Sequence, residues 1–425
     1  MRLGWGCFLL EAHAGALNDL QLCLEARQIA CRRSIPSDSS PAIADDLESV
    51  LVVELDSGST PPRQLVEAWQ AAGRAILALC REHDPKAMML AASLAADDVL
   101  TFPLDERELL RRLERLADLA TLERERRVRT RLLATYQTGR YDISWPHRAP
   151  EAVPTVCILG QASAARTPLA HALPAVLISY IETPARLGAF LAATTPDVLL
   201  VTRPDDLAGA LASIDEAGTP IGTPAVLAAY HGPPALEQLP PPVDLLPLPA
   251  PSEMIRTRLR TALRVAGLRR WLRRPPQAQA PNLILDSLTG LYNAGLLFDY
   301  VSAERHDRQL ALIGIRLDNL REINAEAGYA AGNLALAEIG RQLARVTRPD
   351  DLAAYLGAGR FVVAVASHGP IQVEPMRQRL QHLLARGKAR PCRLMVEAER
   401  SPPRGEPMER IERLFRELAR LRRAA

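Results

Sequence analysis

The stretch LALIGIRLDNLREINAEAGYAAGNLALAEIGRQLARVTRPDDLAAYLGAGRFVVAVA, residues 310–366, decides how the C-terminal third of the chain folds. Leu310–Leu317 is an apolar run of strand length. The residues after it carry apolar positions at helical spacing in two segments on either side of Gly328. LAAYLGAGRFVVAVA then sets Gly-Ala-Gly between two apolar runs, which predicts a β-hairpin with its tip at residues 357–359. The closing ERIERLFRELARLRR predicts an amphipathic helix with a basic end.

Upstream of this unit the pattern changes. Gly6–Leu10, Val50–Leu55 and Ala75–Cys80 read as strands, with helical stretches at Ala16–Gln28 and Pro62–Ala72, and Ala95–Leu116 gives a short strand, a proline and a long helix. Residues 154–273 repeat the plan, with strands at Thr155–Leu159, Ala175–Ile181, Val198–Thr202, Ala225–Tyr230 and Val243–Leu246. Strands alternating with helices predict parallel sheets covered on both faces. LTFPLDERELLRRL (100–113) and LLPLPAPSEMIRTRL (245–259) match in outline, which points to an internal duplication. Residues 136–153 break both periodicities, and RRPPQAQAP (273–281) stops a helix, so the predicted domains are 1–135, 154–273 and 282–425.

Composition narrows the function classes. Of 425 residues, 52 are basic and 49 acidic; this net charge of +3 gives no basic excess for a nucleic-acid polymer. No apolar run reaches the roughly 18 residues that span a bilayer, and the start, interrupted by Glu11, does not read as a secretory signal. A cytoplasmic protein without membrane insertion is expected. The six cysteines include no C-x-x-C, and the histidines show no metal-ligand spacing, so reduced thiols and no metal centre are expected. With 4% aromatics, the cores rest on Leu, Val, Ile and Ala.

DSLTGLYN (286–293), RLDNLREIN with Gly328, and LGAGRF (356–361) occur in the order of the motifs of the GGDEF, or diguanylate cyclase, domain, and residues 282–425 resemble that family. The first two units resemble response-regulator receiver domains, the first through A-x-D-D-x-L-T-x-P and the second through strand order. The resemblance implies an α/β protein with two doubly wound flavodoxin-like receiver domains and a cyclase-like α/β domain. The arrangement is similar to PopA-type cyclic di-GMP effectors of alphaproteobacteria.

Cyclase members hold Mg²⁺ with one carboxylate from the D-x-D strand and one from the G-G-D-E-F turn. Here those positions are Arg316 and Gly359, followed by Arg360, and Asn333 stands where the family has an Asp. A guanidinium binds no Mg²⁺ and glycine offers no ligand, so no catalytic residues and no turnover are expected. Asn324 matches the family's guanine-contacting Asn; it and Asp318 are read as fold residues.

Arg348-Pro349-Asp350-Asp351 is an R-x-x-D at the spacing of the family's inhibitory site, which implies cyclic di-GMP as ligand and no further cofactor. A guanidinium can fork onto phosphate or onto the O6/N7 edge of guanine, and a carboxylate can accept from guanine N1–H and N2–H. Both side chains are expected on a polar turn that tolerates truncation. Arg377 and Arg379 are both candidates for a second arginine contact.

An active receiver needs an acidic pair, a phospho-acceptor Asp, a Ser/Thr and a Lys. The first unit has Glu11-Ala12, Cys80 and Phe102 instead, and both Glu54 and Asp56 are candidates for the acceptor place. The second unit has Gly160, Val201 or Thr202, and Leu248 there. Neither is expected to transfer phosphate. Dimerisation and partner docking are expected instead, in a non-catalytic receptor or adaptor whose resemblance implies cell-pole recruitment and a protease-adaptor complex. The rivals are a ligand-free scaffold and a residual cyclase or phosphorylated regulator.

Overall fold

The computed structural model describes residues 6–12, 15–34, 48–56, 61–81, 84–136, 143–144, 153–160, 176–217, 224–230, 243–247, 250–273, 277–278, 283–303, 309–367, 374, 376–378, 380–381, 393–398 and 406–424. The chain divides into two compact units. The first joins Leu3–Arg124 with Ala149–Trp271, and the second joins Glu125–Arg148 with Leu272–Ala425. Both N-terminal repeats therefore lie in one unit, and the stretch from Glu125 onward groups with the C-terminal third.

The first repeat runs β1 (Gly6–Leu10), α1 (Asn18–Ala26), β2 (Ala30–Ser34), β3 (Glu48–Leu55), α2 (Arg63–Ala71), β4 (Ala75–Arg81), α3 (Pro85–Ser93), β5 (Asp98–Phe102) and α4 (Glu106–Thr135). Its five parallel strands take the order β2-β1-β3-β4-β5. A strand covered on both faces buries its side chains, so β1 and the first six residues of β4 read as apolar runs, and only Arg81 at the end of β4 is exposed. Asp84 caps α3, accepting from the amides of Lys86 and Ala87 at 3.0 Å, with Pro85 preset in the first turn.

After a short strand β6 (Ile143–Ser144), the second repeat runs β7 (Thr155–Leu159), β8 (Leu177–Ile181), α5 (Pro184–Ala193), β9 (Val198–Val201), α6 (Leu207–Glu216), β10 (Ala225–Tyr230), β11 (Asp244–Pro247) and α7 (Ser252–Arg273). Its parallel order, β11-β10-β9-β7-β8, is the same order read from the other edge. The strand period of two splits its core. Val156, Ile158, Val198 and Leu200 pack with Ile255 and Leu259 of α7. Cys157, Leu159, Leu199 and Val201 pack with Leu187, Leu191 and Leu207 on the opposite face.

The two repeats meet through arginines at equivalent places. Arg112 on α4 donates to the Asp244 carboxylate at 2.5 Å and to the Leu245 carbonyl. Arg258 on α7 reaches back to Asp98 at 3.2 Å and the Val99 carbonyl at 3.4 Å. Arg264 adds Asp97 at 2.7 Å and Glu123 at 2.9 Å. Buried guanidiniums are held this way because their forked donors meet carboxylates and strand carbonyls together.

The second unit contains β12 (Gln277–Ala278), β13 (Tyr292–Asn293), α8 (Ala294–Ala303), β14 (Gln309–Leu317), α9 (Leu320–Val346), β15 (Leu352–Tyr355), β16 (Arg360–Ser367), β17 (Leu394–Ala398) and α10 (Pro407–Ala424). Its mixed sheet has the order β13-β15-β16-β14-β17. The predicted helix break is present: Gly328 leaves helical geometry within α9 at φ 81°, a left-handed value that glycine accepts without a Cβ clash. The predicted hairpin is β15–β16, and Gly357, Ala358 and Gly359 at its tip all have positive φ. α9 covers one face through Leu336, Ile339 and Leu343. On the other, Leu414 and Leu418 of α10 press against Gly314, where an added Cβ would lie 2.9–3.0 Å from them.

Candidate functional site

The hairpin tip and the R-x-x-D turn lie at opposite ends of β15. At the tip, antiparallel register sets Arg316 of β14 directly opposite Arg360 of β16. The two arginines therefore leave the sheet on the same face beside Gly359, whose carbonyl accepts from the Leu317 amide at 2.8 Å. Arg360 also stacks over the Phe415 ring with its guanidinium carbon 5.7 Å from the centroid, and Arg316 lies 3.9 Å from Asp318. Among the described residues no cluster of three or more His, Cys, Asp or Glu side chains could hold a metal ion. Asn324 lies beneath Gly332, with its Oδ1 buried 1.9 Å from where a Cβ on that glycine would stand. Asn333 is exposed.

The R-x-x-D turn follows the C-terminus of α9 and leads into β15. Arg348 is exposed, but Asp351 is only 5% exposed, and Asp350 is buried as well. The expectation that both motif side chains sit on the polar surface is corrected for Asp351. Its Oδ2 accepts from the Arg348 amide at 3.1 Å while its own amide donates to the Arg348 carbonyl at 3.1 Å, a reciprocal closure of the turn. The carboxylate is thus part of the turn's own structure.

A cavity of about 100 Å³ opens beside the turn, lined among others by Arg273, Arg348, Asp351, Thr347 and Tyr292. Arg273 was not singled out in the sequence. It brings a second guanidinium to the cavity wall, pulled down to about 10 by burial, with the nearby Asp350 acting in the opposite direction. Beneath the turn lies Arg129, only 3% exposed, which donates to the carbonyls of Pro349 at 3.2 Å and Asp351 at 2.8 Å. Glu125, fully buried, pairs with it at 2.6 Å and accepts from the Tyr300 hydroxyl at 3.1 Å. Burial opposes charge on Arg129, but the Glu125 carboxylate outweighs it and holds the guanidinium above its ordinary value. Sequence reading missed this pair because nothing local to residues 125–129 links them to a turn 220 positions away.

Of the second-arginine candidates, Arg377 is engaged elsewhere. It forks onto Glu374 at 2.8 and 2.5 Å and donates to Gln381 at 3.0 Å and to the Val396 carbonyl of β17 at 3.4 Å. In the sheet, β17 is separated from β15 by β16 and β14. No described contact brings Arg377 to the R-x-x-D turn. Arg379 lies outside the described residues.

In the first unit, Glu54, the penultimate residue of β3, is buried and accepts from the Ala12 amide at 3.0 Å. Glu11 accepts from the amides of Gly15 at 2.8 Å and Leu17 at 3.1 Å. Both carboxylates tie down the loop after β1. Asp56 follows the strand and is half-buried. Burial pushes the Cys80 thiol up to about 12, with Asp84 adding to the shift. No described helix is long and apolar enough to cross a membrane.

Residues 283–393 match the family model described as diguanylate cyclase, GGDEF domain. Diguanylate cyclase TpbB of Pseudomonas aeruginosa is 37% identical over 86 residues, which are 19% of this chain and 20% of that protein. Probable diguanylate cyclase DgcJ of Escherichia coli is 28% identical over 110 residues, 24% of this chain and 22% of that protein. A crystal structure of a sensory box/GGDEF family protein from Caulobacter crescentus aligns at 27% identity over 33% of this chain and 99% of that one, with a TM-score of 0.29. The chain spans about a fifth of the length of these curated relatives. Residues 283–393 of this α/β protein are a GGDEF domain with diguanylate cyclases among its relatives.

Proposed function

We propose that the chain is a non-catalytic cyclic di-GMP receptor, in which the R-x-x-D turn of the GGDEF domain binds the dinucleotide and the N-terminal repeats make protein contacts. One observation carries the reading. The turn is closed and supported, with the Arg348 guanidinium exposed beside a cavity that Arg273 and Asp351 also line, while the positions of the metal carboxylates hold Arg316 and Gly359. Arg348 supplies charge-assisted hydrogen bonds to phosphate or the guanine Hoogsteen edge. Asp351, already bonded to the Arg348 amide, has the acceptor chemistry for guanine N–H groups. The parallel order 2-1-3-4-5 in both repeats supports the receiver-like reading. Glu11 and Glu54, occupied by loop amides, support repeats without phosphotransfer. By resemblance to the PopA-type effectors, the chain acts in the cytoplasm as a homodimeric adaptor that is recruited to a cell pole and delivers partners to a protease.

The cyclase names of the relatives favour a second reading, residual diguanylate cyclase activity, which Asn324 suits and the arginine pair at the tip opposes. Calorimetric titration of the full chain with cyclic di-GMP decides the first reading. Micromolar binding that is weakened at least tenfold in Arg348→Ala supports it, and equal binding by the two, or no binding, leaves a ligand-free scaffold.

A further inference from the structure

We propose that Arg129 is the positioning residue of the R-x-x-D turn, and that occupancy of the turn is read out by residues 125–135 of α4. This deepens the receptor reading and rests on it. A guanidinium has five donors in a fixed planar fork. Arg129 spends one edge on Glu125, at 2.6 Å from Nε, and another donor on the Leu272 carbonyl, at 3.1 Å from Nη1. Its Nη2 is left to bridge two carbonyls of one turn, Pro349 at 3.2 Å and Asp351 at 2.8 Å. Those carbonyls belong to the residue before and the residue after Asp350, so the bridge fixes the peptide planes that aim the motif's carboxylate. The Asp351 side chain is fixed in turn by the Arg348 amide. The head of the fork cannot drift, because Glu125 is fully buried and held by Tyr300, and the Tyr292 ring lies 5.8 Å from the guanidinium carbon.

The ligand groups and the clamp thus meet on the same four residues, and Arg129 lines the cavity beside the turn together with Arg348 and Asp351. A dinucleotide that grips Arg348 and Asp351 lowers the freedom of the carbonyls that Arg129 holds. Coupling of this kind is reciprocal: if the clamp strengthens ligand binding, the ligand strengthens the clamp by the same factor. A lysine at 129 keeps the charge but has no fork with which to reach Glu125 and both carbonyls together.

The test uses the full-length chain and cyclic di-GMP, with affinity from calorimetry and folding from circular dichroism. Amide hydrogen exchange is followed across residues 125–135. Leu418→Ala is the control, since Leu418 is fully buried in the same unit but packs at Gly314 on the far side of the sheet from α9. Ligand is expected to slow exchange at 125–135 in the wild type. Arg129→Met is expected to bind at least tenfold more weakly and to lose that protection, Arg129→Lys to fall between, and Leu418→Ala to bind like the wild type. Equal affinities for Arg129→Met and Leu418→Ala, or protection that survives in Arg129→Met, overturns the inference and leaves the receptor reading standing. Absence of ligand-induced protection in the wild type overturns it without recourse to any variant. Failure of the wild type to bind overturns both.

Discussion

Replacing Arg112 by methionine removes a guanidinium that is 1% exposed and leaves its volume largely filled. What remains is Asp244, which Arg112 contacts at 2.5 Å, together with Asp98 at 3.4 Å and Glu108 at 3.7 Å. Burial pushes the Asp244 carboxyl up, but Arg112, Arg115 and Arg258 outweigh it and hold the group below the usual carboxylate range. Removing one partner of a buried ion pair costs about 3–5 kcal/mol. Arg258 still neutralises Asp98 at 3.2 Å, so the expected loss is about 3 kcal/mol, at the lower end of that range. Arg258→Met is expected to cost the same, because the two arginines occupy equivalent places. The double variant should lose less than the sum, since both share Glu108 and the Leu245 carbonyl. Native-state hydrogen exchange of β5 and β11 amides reads this junction without interference from the second unit. The sign with pH follows from Asp244: its depressed value gives stability that is present above the ordinary carboxylate range and lost as pH falls through the folded-state value. Arg112→Met raises that value, so its β11 amides should lose protection at a higher pH than wild type. Single variants that each cost under about 1 kcal/mol, or costs that add fully, would refute the shared-network argument.

Asp351→Ala is expected to lose binding and about 1–2 kcal/mol of second-unit stability, because a buried turn acceptor goes with it, whereas Arg348→Ala should lose binding alone; urea titration beside calorimetry separates the two. Purified chain incubated with GTP and Mg²⁺ should yield no cyclic di-GMP by liquid chromatography, and sustained product sensitive to Asn324→Ala would restore the cyclase reading. Iodoacetamide should label the half-buried Cys23 and Cys31 before Cys7, Cys80 and Cys157, which are buried, as mass spectrometry of timed samples would reveal.

Elements whose burial is two-sided were plain in the sequence. β1, β4, β7 and β10 read as apolar runs and fall within a residue of their predicted places. β2 did not, because its Ala-Cys-Arg-Arg-Ser lies at a sheet edge where side chains meet solvent and no apolar run is needed. The long register of α4 was legible as a helix, but its role was not. Its apolar and charged residues look like any amphipathic surface until Arg129 is seen under the turn at 349–351. The R-x-x-D motif is legible through its resemblance to the family's inhibitory site, at that site's distance from the hairpin tip. The burial of Asp351 is not, since it depends on which neighbours cover the turn.

The pairing of Arg316 with Arg360 bears on how this hairpin can change over generations. Side chains directly opposite across an antiparallel pair have Cβ atoms about 4.5–5.5 Å apart, close enough for opposite charges to pair. A carboxylate placed at 316 alone would meet the guanidinium at 360 and form an ion pair instead of an open ligand for a cation. An acid placed at 359 alone would enter a left-handed position beside Arg360. Each single substitution is therefore captured by the residues already there, and two positions must change together before the tip offers an open ligand to a cation.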